Sequence, residues 1–538
     1  MVLGLGFVSV AEGRSVPGEV VVKLRPGMTP KFLAKKASFG ARVKKSMRLL
    51  SGEFVVLKTE SKSTEALLEK LKRSPEVIYA EPNFLYQIQA GQSSDPLFGK
   101  LWGLSNKGNN EPGEDGEYSD RVGVIGADIN AEKAWGITKG SKNVVIAVID
   151  TGIDYTHPDL KENMWVNQKE IKDNNLDDDG NGYIDDVYGW NSNSDNGNPM
   201  DGHSHGTHCA GTIGARHDNN IGIAGVMGNV SLMAVKFLTD EGSGSLEDAI
   251  EAIDYATKMN VDVMSNSWGG GLFSQALEDS IKAASDRGIL FVAAAGNSAT
   301  NNDTTANYPA NHRIDNVISV AAHTISDSLA DFSSTGKNTV HVAAPGNNIL
   351  STTSDNTYKV YSGTSMAAPH VSGVLGLYLS QHGRQDVKAL RERLMATTVP
   401  AAAYRKSIMS GGRVDAYNFL TNTRVPRQTP ENSAWRTENL SEVFETAHPY
   451  VNDLSISKTY TFPGAKYVKL VIEKFDIETN YDFLILKDGK GSVLEKLTGK
   501  GSEYETDYAE TDSVTLEFTS DSSESRYGVL IKKVKVIY

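Results

Sequence analysis

Three short motifs contain side chains that together could carry out nucleophilic catalysis. Asp150 ends an apolar run that is typical of a buried strand, His205 opens the motif HGTHCAG, and Ser365 lies within GTSMAAPH. A serine hydroxyl becomes a nucleophile when an imidazole takes its proton, and a carboxylate fixes the tautomer of that imidazole and stabilises its cation. Each motif alone also fits a strand cap or an ordinary turn. The three together, in the order Asp, His, Ser, favour a catalytic triad.

The motifs fall in a block, residues 127–420, in which apolar strands alternate with helical stretches. Strands are predicted at 144–149, 231–236, 261–264, 290–294 and 317–321. Short apolar strands separated by helices indicate the α/β class, with a parallel sheet covered by helices on both faces. The serine motif combines a tight glycine turn with the start of a helix, and we expect Pro369 in the first turn of that helix.

Two further domains flank this block. Residues 17–89 carry signals in the order βαββαβ, with strands near 19–24, 42–48, 53–58 and 76–80 and helices near 30–38 and 64–73, which indicates a ferredoxin-like domain. The polar stretch from Thr421 to Ser433 contains two prolines and is typical of a linker, and the short alternating strands beyond it indicate a β-sandwich. We therefore divide the chain into segments 1–16, 17–90, 91–422, 423–433 and 434–538.

Charge and composition exclude several classes of function. The 538 residues carry a formal charge of -13, and because residues 1–90 carry +7, the remainder carries -20. An acidic body argues against nucleic-acid binding, and no apolar run approaches the roughly 20 residues that span a bilayer. One cysteine excludes an intramolecular disulfide, so we expect bound metal as the stabilising element. Residues 2–11 are an export signal or merely an apolar tail, and we favour export and secretion.

The three motifs resemble those of the subtilisin-like serine proteases (subtilases), and the resemblance covers nearly all of residues 95–420. It implies that Ser365 attacks the scissile carbonyl, that His205 takes and returns the proton, and that Asp150 orients His205. The segment AAGN ending at Asn297 resembles the oxyanion motif of the family and implies Asn297 as a donor beside the backbone N–H of Ser365.

Two neighbours of His205 could be mistaken for catalytic groups. The resemblance makes His208 structural. Cys209 is predicted to be a buried small hydrophobe rather than the nucleophile, and its position resembles that of a cysteine beneath the catalytic histidine in one subgroup of subtilases. We therefore expect inhibition by mercurials.

Protein and peptide substrates are expected to bind as an extended strand. Two segments resemble those that hold the substrate backbone and form the wall of the primary pocket: Gly242, Ser243 and Gly244, and Ser267, Trp268 and Gly269. Ser298 and Asn307, near the predicted pocket, are uncharged. This favours broad or mildly apolar specificity.

Calcium is the metal that the acidic loops favour. Residues 175–186 are dense in hard oxygen ligands separated by glycines, and the alternative is a solvated acidic loop. The ligands predicted in this loop are Asp177, Asp179, Asn181 and Asp185. A second site is implied by the family resemblance, with ligands from Asp95, Asp159, Asn219 and the backbone carbonyls of Ile221 and Ile223. If Asp95 is a ligand, the mature chain begins before residue 95.

The flanking domains also resemble known modules. Residues 17–89 resemble the subtilase propeptide, which implies a chaperone and intramolecular inhibitor with self-cleavage between Tyr86 and Ser94; the alternative is an independent small binding domain. The C-terminal block resembles a CUB-like β-sandwich without disulfides, in which Glu473, Asp482 and Asp521 match calcium-binding positions. Surface carboxylates on a stabilising domain are the alternative.

These features lead us to expect a secreted, calcium-dependent serine endopeptidase, made as an autoprocessed zymogen and active as a monomer. Two other hypotheses remain open from the sequence. One is a non-catalytic, calcium-dependent binding protein, which the complete triad and Asn297 disfavour. The other is a selective processing protease, which cleavage-site profiling would distinguish from a degradative enzyme.

Overall fold

The computed structural model describes residues 15–34, 39–49, 51–59, 64–84, 93–113, 118–119, 121–426, 430–479, 481–489, 491 and 493–538. Nearly all of the predicted export signal lies outside these residues, as does most of the predicted self-cleavage region. The chain forms two compact units, Met1–Gln89 and Ala90–Tyr538. Each is described by itself.

The first unit is a small α/β domain. Its elements are β1 (Ser15–Leu24), α1 (Thr29–Ala34), β2 (Arg42–Leu49), β3 (Gly52–Lys58), α2 (Thr64–Lys72) and β4 (Val77–Phe84). The strands pair antiparallel in the order β2-β3-β1-β4. Alternate residues of β1, Val20, Val22 and Leu24, are buried with Phe32 and Leu67 of the two helices, because side chains of a strand point to opposite faces in turn. The predicted ferredoxin-like order is confirmed.

A large sheet with helices organises the second unit. Its elements up to residue 421 are α3 (Ala131–Trp135), β5 (Gly140–Asp150), β6 (Gly189–Asn191), α4 (His205–Gly214), β7 (Asn229–Lys236), α5 (Leu246–Lys258), β8 (Val263–Asn266), α6 (Gln275–Asp286), β9 (Leu290–Ala294), β10 (Val317–His323), β11 (Val342–Pro345), β12 (Ile349–Thr353), β13 (Thr357–Tyr361), α7 (Thr364–His382), α8 (Val387–Ala396), β14 (Val399–Pro400), α9 (Ala402–Arg405), β15 (Gly412–Arg413) and α10 (Ala416–Thr421). In the described residues the main sheet has the order β14-β15-β11-β10-β9-β8-β5-β7-β6. Its pairs are parallel apart from β14 with β15.

Both faces of this sheet are buried, which explains why its strands are continuously apolar. In β5, Ile146 and Val148 pack into a core that includes α4 and α7. Ala147 and Ile149 point to the other face, where α5 and α6 form a second core. The predicted sheet with helices on both faces is confirmed. The prediction missed β6 and β11 to β15, which have at most five residues each.

The C-terminal part of the second unit is a β-sandwich. Its strands are β16 (Arg436–Glu445), β17 (Ser455–Thr461), β18 (Tyr467–Asp476), β19 (Phe483–Asp488), β20 (Val493–Leu497), β21 (Lys500–Glu505), β22 (Ser513–Thr519) and β23 (Gly528–Ile537). They form two four-stranded sheets, β16-β23-β18-β21 and β17-β22-β19-β20, around one apolar core. The predicted sandwich is thus confirmed.

The end of helix α9 and the residue after it contact the sandwich. The Arg405 guanidinium contacts Asp507 Oδ1 at 2.7 Å and lies 3.6 Å from the centre of the Tyr508 ring. Lys406 Nζ contacts Glu495 Oε1 at 2.5 Å. Asp507 is 4% exposed, so this contact neutralises a buried carboxylate. Among the described residues, no helix is long and apolar enough to cross a membrane.

Candidate active site

The first two residues of the predicted triad lie in direct contact. Asp150 is the last residue of β5, and His205 is the first residue of α4. His205 Nδ1 lies 2.7 Å from Asp150 Oδ1, which also accepts the backbone N–H of Thr151 at 2.8 Å. Burial lowers the pKa of His205, but the charge of Asp150 and their hydrogen bond outweigh burial and leave that pKa above its usual value. This contact fixes the imidazole and favours its cation.

Ser365 lies in the first turn of α7, which begins at Thr364. Its hydroxyl donates a hydrogen bond to the carbonyl of Ser267 at 2.9 Å. Pro369 is the sixth residue of this helix, so its expected place in the first turn is corrected by one turn. Because proline has no N–H, it cannot bond to the carbonyl four residues earlier, which is that of Ser365. That carbonyl instead accepts from Ser267 Oγ at 2.8 Å and from Cys209 Sγ at 3.4 Å.

Asn297 follows β9 and is oriented by the residue before the nucleophile. Its Oδ1 accepts the backbone N–H and the hydroxyl of Thr364, both at 2.9 Å. The Thr364 hydroxyl in turn accepts the N–H of Gly296 at 3.1 Å. With Oδ1 held by two donors, the Nδ2 group is left on the opposite side of the amide. N–H groups in the first turn of a helix, such as that of Ser365, have no acceptor within the helix.

A cleft of about 1130 Å³ joins these groups. His205, Ser365 and Asn297 line it, together with every predicted substrate-binding residue: Gly242, Ser243, Gly244, Ser267, Trp268 and Gly269. Two chain segments that line a cleft beside a nucleophile can hold an extended peptide through backbone hydrogen bonds. Asn307, also in the lining, donates its amide to the carbonyl of Ala295 at 3.0 Å.

The two other candidates beside His205 are fully buried. His208 lies against the ring of Tyr361, bonds to the carbonyl of Ile349 at 2.9 Å, and has its pKa lowered to about 3 by burial. Burial raises the pKa of the Cys209 thiol well above its usual value. Potential ligand atoms of Asp150, His205 and Cys209 nevertheless lie within 4.8 Å of one another. The thiol is therefore adjacent to the triad but protonated.

The structure brings together the side chains predicted for the second calcium site, Asp95, Asp159 and Asn219. Asp95 accepts the N–H groups of Asp218 and Asn219 at 3.0 and 3.1 Å. Asn219 Nδ2 donates to Asp159 Oδ1 at 2.7 Å, and the N–H of Ile223 donates to Asp159 Oδ2 at 2.9 Å.

Asp159 is the most deeply placed of these groups. It is fully buried, and burial raises its pKa to about 6, with the charge of Asp95 adding to the rise. The N–H of Ile221 donates to Asn219 Oδ1 at 2.8 Å, so this isoleucine also belongs to the loop. Two carboxylates, one amide and a tightly turned loop form a donor set that suits a hard divalent cation.

The acidic loop is assembled differently from the prediction. Carboxylate oxygens of Asp177, Asp179 and Glu170 lie within 4.8 Å of one another. Asp185 is turned to the N–H groups of Asn174 and Asn175 at 3.1 and 2.9 Å, outside this cluster. Asn181 donates its amide to Asp186 at 3.0 Å and accepts the N–H of Tyr183. The sequence prediction missed Glu170 because this residue precedes the loop. Only the folded chain brings its carboxylate next to those of Asp177 and Asp179.

The sandwich also gathers three carboxylates. Oxygens of Glu478, Asp482 and Asp521 lie within 4.8 Å of one another, and Asp482 is fully buried. The predicted Glu473 is not among them, because it pairs with Lys532 at 3.1 Å on the surface of the sheet. Glu473 has an outward position on β18, whereas Glu478 follows that strand in the loop. Glu478 replaces Glu473 in this cluster.

Comparison with known proteins agrees with this site. A sequence model of the subtilase family matches residues 141–432, and one of the fervidolysin N-terminal prodomain matches residues 6–83. A thermophilic serine proteinase of Bacillus sp. (strain AK1) is 35% identical over 415 residues, 77% of this chain and 90% of that protein. Thermitase of Thermoactinomyces vulgaris is 36% identical over 293 residues, 54% of this chain and 93% of its own length. The halolysin-like extracellular serine protease Nep of Natrialba magadii is 31% identical over 430 residues, 78% of this chain and 71% of its own length. The chain thus belongs to the subtilase family of serine endopeptidases and carries a prodomain ahead of its catalytic domain.

Proposed function

We propose that this chain is a secreted, calcium-dependent endopeptidase of broad specificity, made as a zymogen that cleaves itself. The single observation that carries the proposal is one cleft lined by His205, Ser365 and Asn297 together with the segments 242–244 and 267–269. Asp150 Oδ1 lies 2.7 Å from His205 Nδ1 and orients the imidazole. This arrangement supports hydrolysis of a peptide bond held as an extended strand.

The reaction begins with a change of hydrogen bond at Ser365. Its hydroxyl, which donates to the carbonyl of Ser267, turns to His205 Nε2 and transfers its proton as Ser365 Oγ bonds to the scissile carbonyl carbon. Asp150 stabilises the resulting imidazolium. His205 then gives the proton to the leaving amine, the peptide C–N bond breaks, and an acyl-enzyme remains. Water, deprotonated by His205, releases the acid and restores Ser365.

Two N–H groups stabilise the negative oxygen of the tetrahedral intermediate. One is the backbone N–H of Ser365 at the start of α7, where the helix dipole adds a favourable field. The other is Nδ2 of Asn297, whose orientation depends on the two bonds from Thr364 to Oδ1. Both donors are fixed before the reaction, so they are worth more in the transition state than in the substrate complex.

Calcium has a structural role in this proposal. Asp95, Asp159 and Asn219 would hold one ion, and Asp177 and Asp179 with Glu170 a second. The buried Asp159 supports this role, because its ionised form is disfavoured until a cation compensates its charge. Bound calcium would stabilise the folded state, as a disulfide does in other secreted proteins.

The remaining parts of the proposal rest on the first domain and on the relatives. The match to a prodomain supports inhibition of the active site by residues 17–90 until they are removed. The Natrialba magadii relative is an extracellular protease by name, and this supports secretion, which the apolar residues 2–11 also favour. Broad specificity is supported by a cleft whose lining includes uncharged Ser298 and Asn307.

One experiment tests cleavage, metal requirement and catalysis together. The purified precursor is incubated with calcium or with a chelator, followed by N-terminal sequencing and a peptidase assay. We expect a new N-terminus between residues 86 and 94 and activity only with calcium. Ser365→Ala should show neither. Undiminished hydrolysis by Ser365→Ala would overturn the proposal, and inactivity of the wild-type chain under all conditions would favour a non-catalytic binding protein.

A further inference from the structure

A buried carboxylate lies close to the triad without touching the reacting groups. Asp201 precedes His205 by four residues and is 4% exposed. Helix α4, which His205 opens, has Ser204 as its N-cap residue, but that side chain makes no capping hydrogen bond. Ser204 also has a φ of 84°, a left-handed conformation that a serine rarely adopts. A group other than the side chain of the N-cap residue must therefore hold the start of this helix.

Asp201 accepts hydrogen bonds on both of its oxygens. Oδ1 accepts the Thr151 hydroxyl and the N–H groups of His203 and Ser204, each at 2.9 Å. Oδ2 accepts the N–H of Thr207 at 2.9 Å and its hydroxyl at 2.6 Å. Thr207 is the third residue of α4, the position that an N-cap side chain normally serves. Asp201 thus caps the helix from three residues before Ser204.

The same carboxylate reaches the strand that carries the other triad residue. Thr151 directly follows Asp150, and its hydroxyl donates to Asp201 while accepting the N–H of Gly206 at 2.9 Å. Gly206 in turn follows His205. The residues next to the catalytic aspartate and next to the catalytic histidine are therefore joined through one hydroxyl and one buried carboxylate.

We infer that Asp201 is a positioning residue of the triad: it fixes the segment that carries Asp150 against the start of the helix that carries His205, and its charge supports the cation that His205 becomes. This rests on the proposed function, in which His205 is the base.

Several other titratable groups lie around His205 and the residues that hold it. They include Asp150, His203 at 6.2 Å between ring centres, the buried neutral His208 and the protonated thiol of Cys209. Lys236 bonds to the carbonyl of Thr151 and to Asp240, and the N–H of Asp154 donates to the Thr207 hydroxyl at 2.9 Å. After the lowering effect of burial, the charge of Asp150, their hydrogen bond and then the charge of Asp201 raise the pKa of His205.

The test is Asp201→Asn, measured as the pH dependence of kcat/KM on a chromogenic peptide with the processed full-length enzyme. An amide offers N–H groups where donors already point, so we expect kcat to fall about 10- to 100-fold through misplacement of the triad. Loss of the charge lowers the pKa of His205, so the acid limb should move to lower pH by about 0.5 to 1 unit. A fall in kcat with an unmoved acid limb would overturn the inference, because a merely structural residue gives that result.

Two variants separate position from charge. Thr151→Val removes the hydroxyl and keeps the carboxylate, so kcat should fall while the acid limb stays in place, and Thr151→Ser should restore wild-type kcat. Asp154→Asn is the matched control, because Asp154 is also buried but its carboxylate bonds to Thr156. It should leave kcat and the acid limb unchanged. If Asp201→Asn does not fold, full kcat in Thr151→Val would still overturn the inference.

Ser365→Ala, assayed beside these variants, keeps this inference separate from the proposed function. If Ser365→Ala still hydrolyses the peptide, the proposed function fails, and the inference fails with it. If Ser365→Ala is inactive while Asp201→Asn behaves as wild type, only the role of Asp201 is overturned.

Discussion

The orientation of the Asn297 amide should depend on the hydroxyl of Thr364. That hydroxyl donates to Asn297 Oδ1 at 2.9 Å and accepts the N–H of Gly296 at 3.1 Å, and Thr364 is fully buried. Thr364→Val has nearly the same shape and removes both bonds. The backbone N–H of residue 364 remains to hold Asn297 Oδ1. The amide is then held by one donor instead of two.

The size of the effect follows from what the hydroxyl contributes. A hydrogen bond contributes about 0.5 to 1.5 kcal/mol net to stability, and the partly buried N–H of Gly296, left without an acceptor, costs about 1 kcal/mol. The second cost falls on both ground state and transition state, so it lowers stability rather than kcat. Loss of orientation of one oxyanion donor should lower kcat about 10-fold, whereas its complete removal in Asn297→Ala should lower kcat about 10²- to 10³-fold.

A double-mutant cycle on kcat tests this reasoning. With a peptide nitroanilide as substrate, Thr364→Val should lower kcat with little change in KM, and Thr364→Ser, which keeps the hydroxyl, should behave as wild type. In an Asn297→Ala background, Thr364→Val should have no further effect, because the group that it orients is gone. Equal effects of Thr364→Val with and without Asn297 would refute the orienting role.

Four further outcomes are expected. Burial lowers the pKa of His205 but the neighbouring carboxylates raise it by more, so kcat/KM should rise with pH along an acid limb centred above 6.5, since only the neutral imidazole accepts a proton. A chelator should lower Tm in calorimetry. In Asp159→Asn, the difference in Tm between protein with calcium and protein with chelator should be smaller. Cys209→Ala should stay active and lose sensitivity to mercurials, measured as residual activity after incubation. Arg405→Ala should remove the cation bonded to the buried Asp507 and lower the free energy of unfolding in urea by about 1 to 3 kcal/mol, since Arg405 is partly exposed.

The triad was predictable because each of its residues lies within a local motif. The apolar run before Asp150 identifies a buried strand, and the parallel sheet then places its end near the starts of the helices that carry His205 and Ser365. For each triad residue, the reactive side chain and the strand or helix that positions it therefore lie in the same short stretch of sequence. The same holds for Asn297, which lies three residues after the end of β9 and directly follows Gly296.

The metal clusters were only partly predictable, because their ligands come from separate segments that lie together only in the folded loops. Glu170 reaches the N–H groups of Asp178 and Asp179 from outside the acidic loop, at 2.9 and 3.1 Å. Nothing in the spacing of the loop identifies it. In the sandwich, Glu473 and Glu478 differ by five residues, and only the end of β18 between them decides which one reaches Asp482.

Asp201 shows why residues that support catalytic side chains are difficult to predict from sequence. Its five donors come from the residue after Asp150 and from residues that precede or open α4, so its role depends on two segments that are about fifty residues apart. An aspartate four residues before a helix predicts at most a cap. The observed arrangement joins that cap to the strand, and the catalytic aspartate and histidine can keep their 2.7 Å contact only while both segments stay in place.

Pro369 has a comparable hidden effect on the nucleophile. The sequence suggests that it marks a helix start. In the structure it lies one turn further on, where it lacks the N–H that would bond to the carbonyl of Ser365. Ser267 Oγ and Cys209 Sγ bond to that carbonyl instead. The Ser267 carbonyl meanwhile accepts the hydroxyl of Ser365. The nucleophile is therefore held through both its carbonyl and its hydroxyl by Ser267, a residue that also lines the substrate cleft.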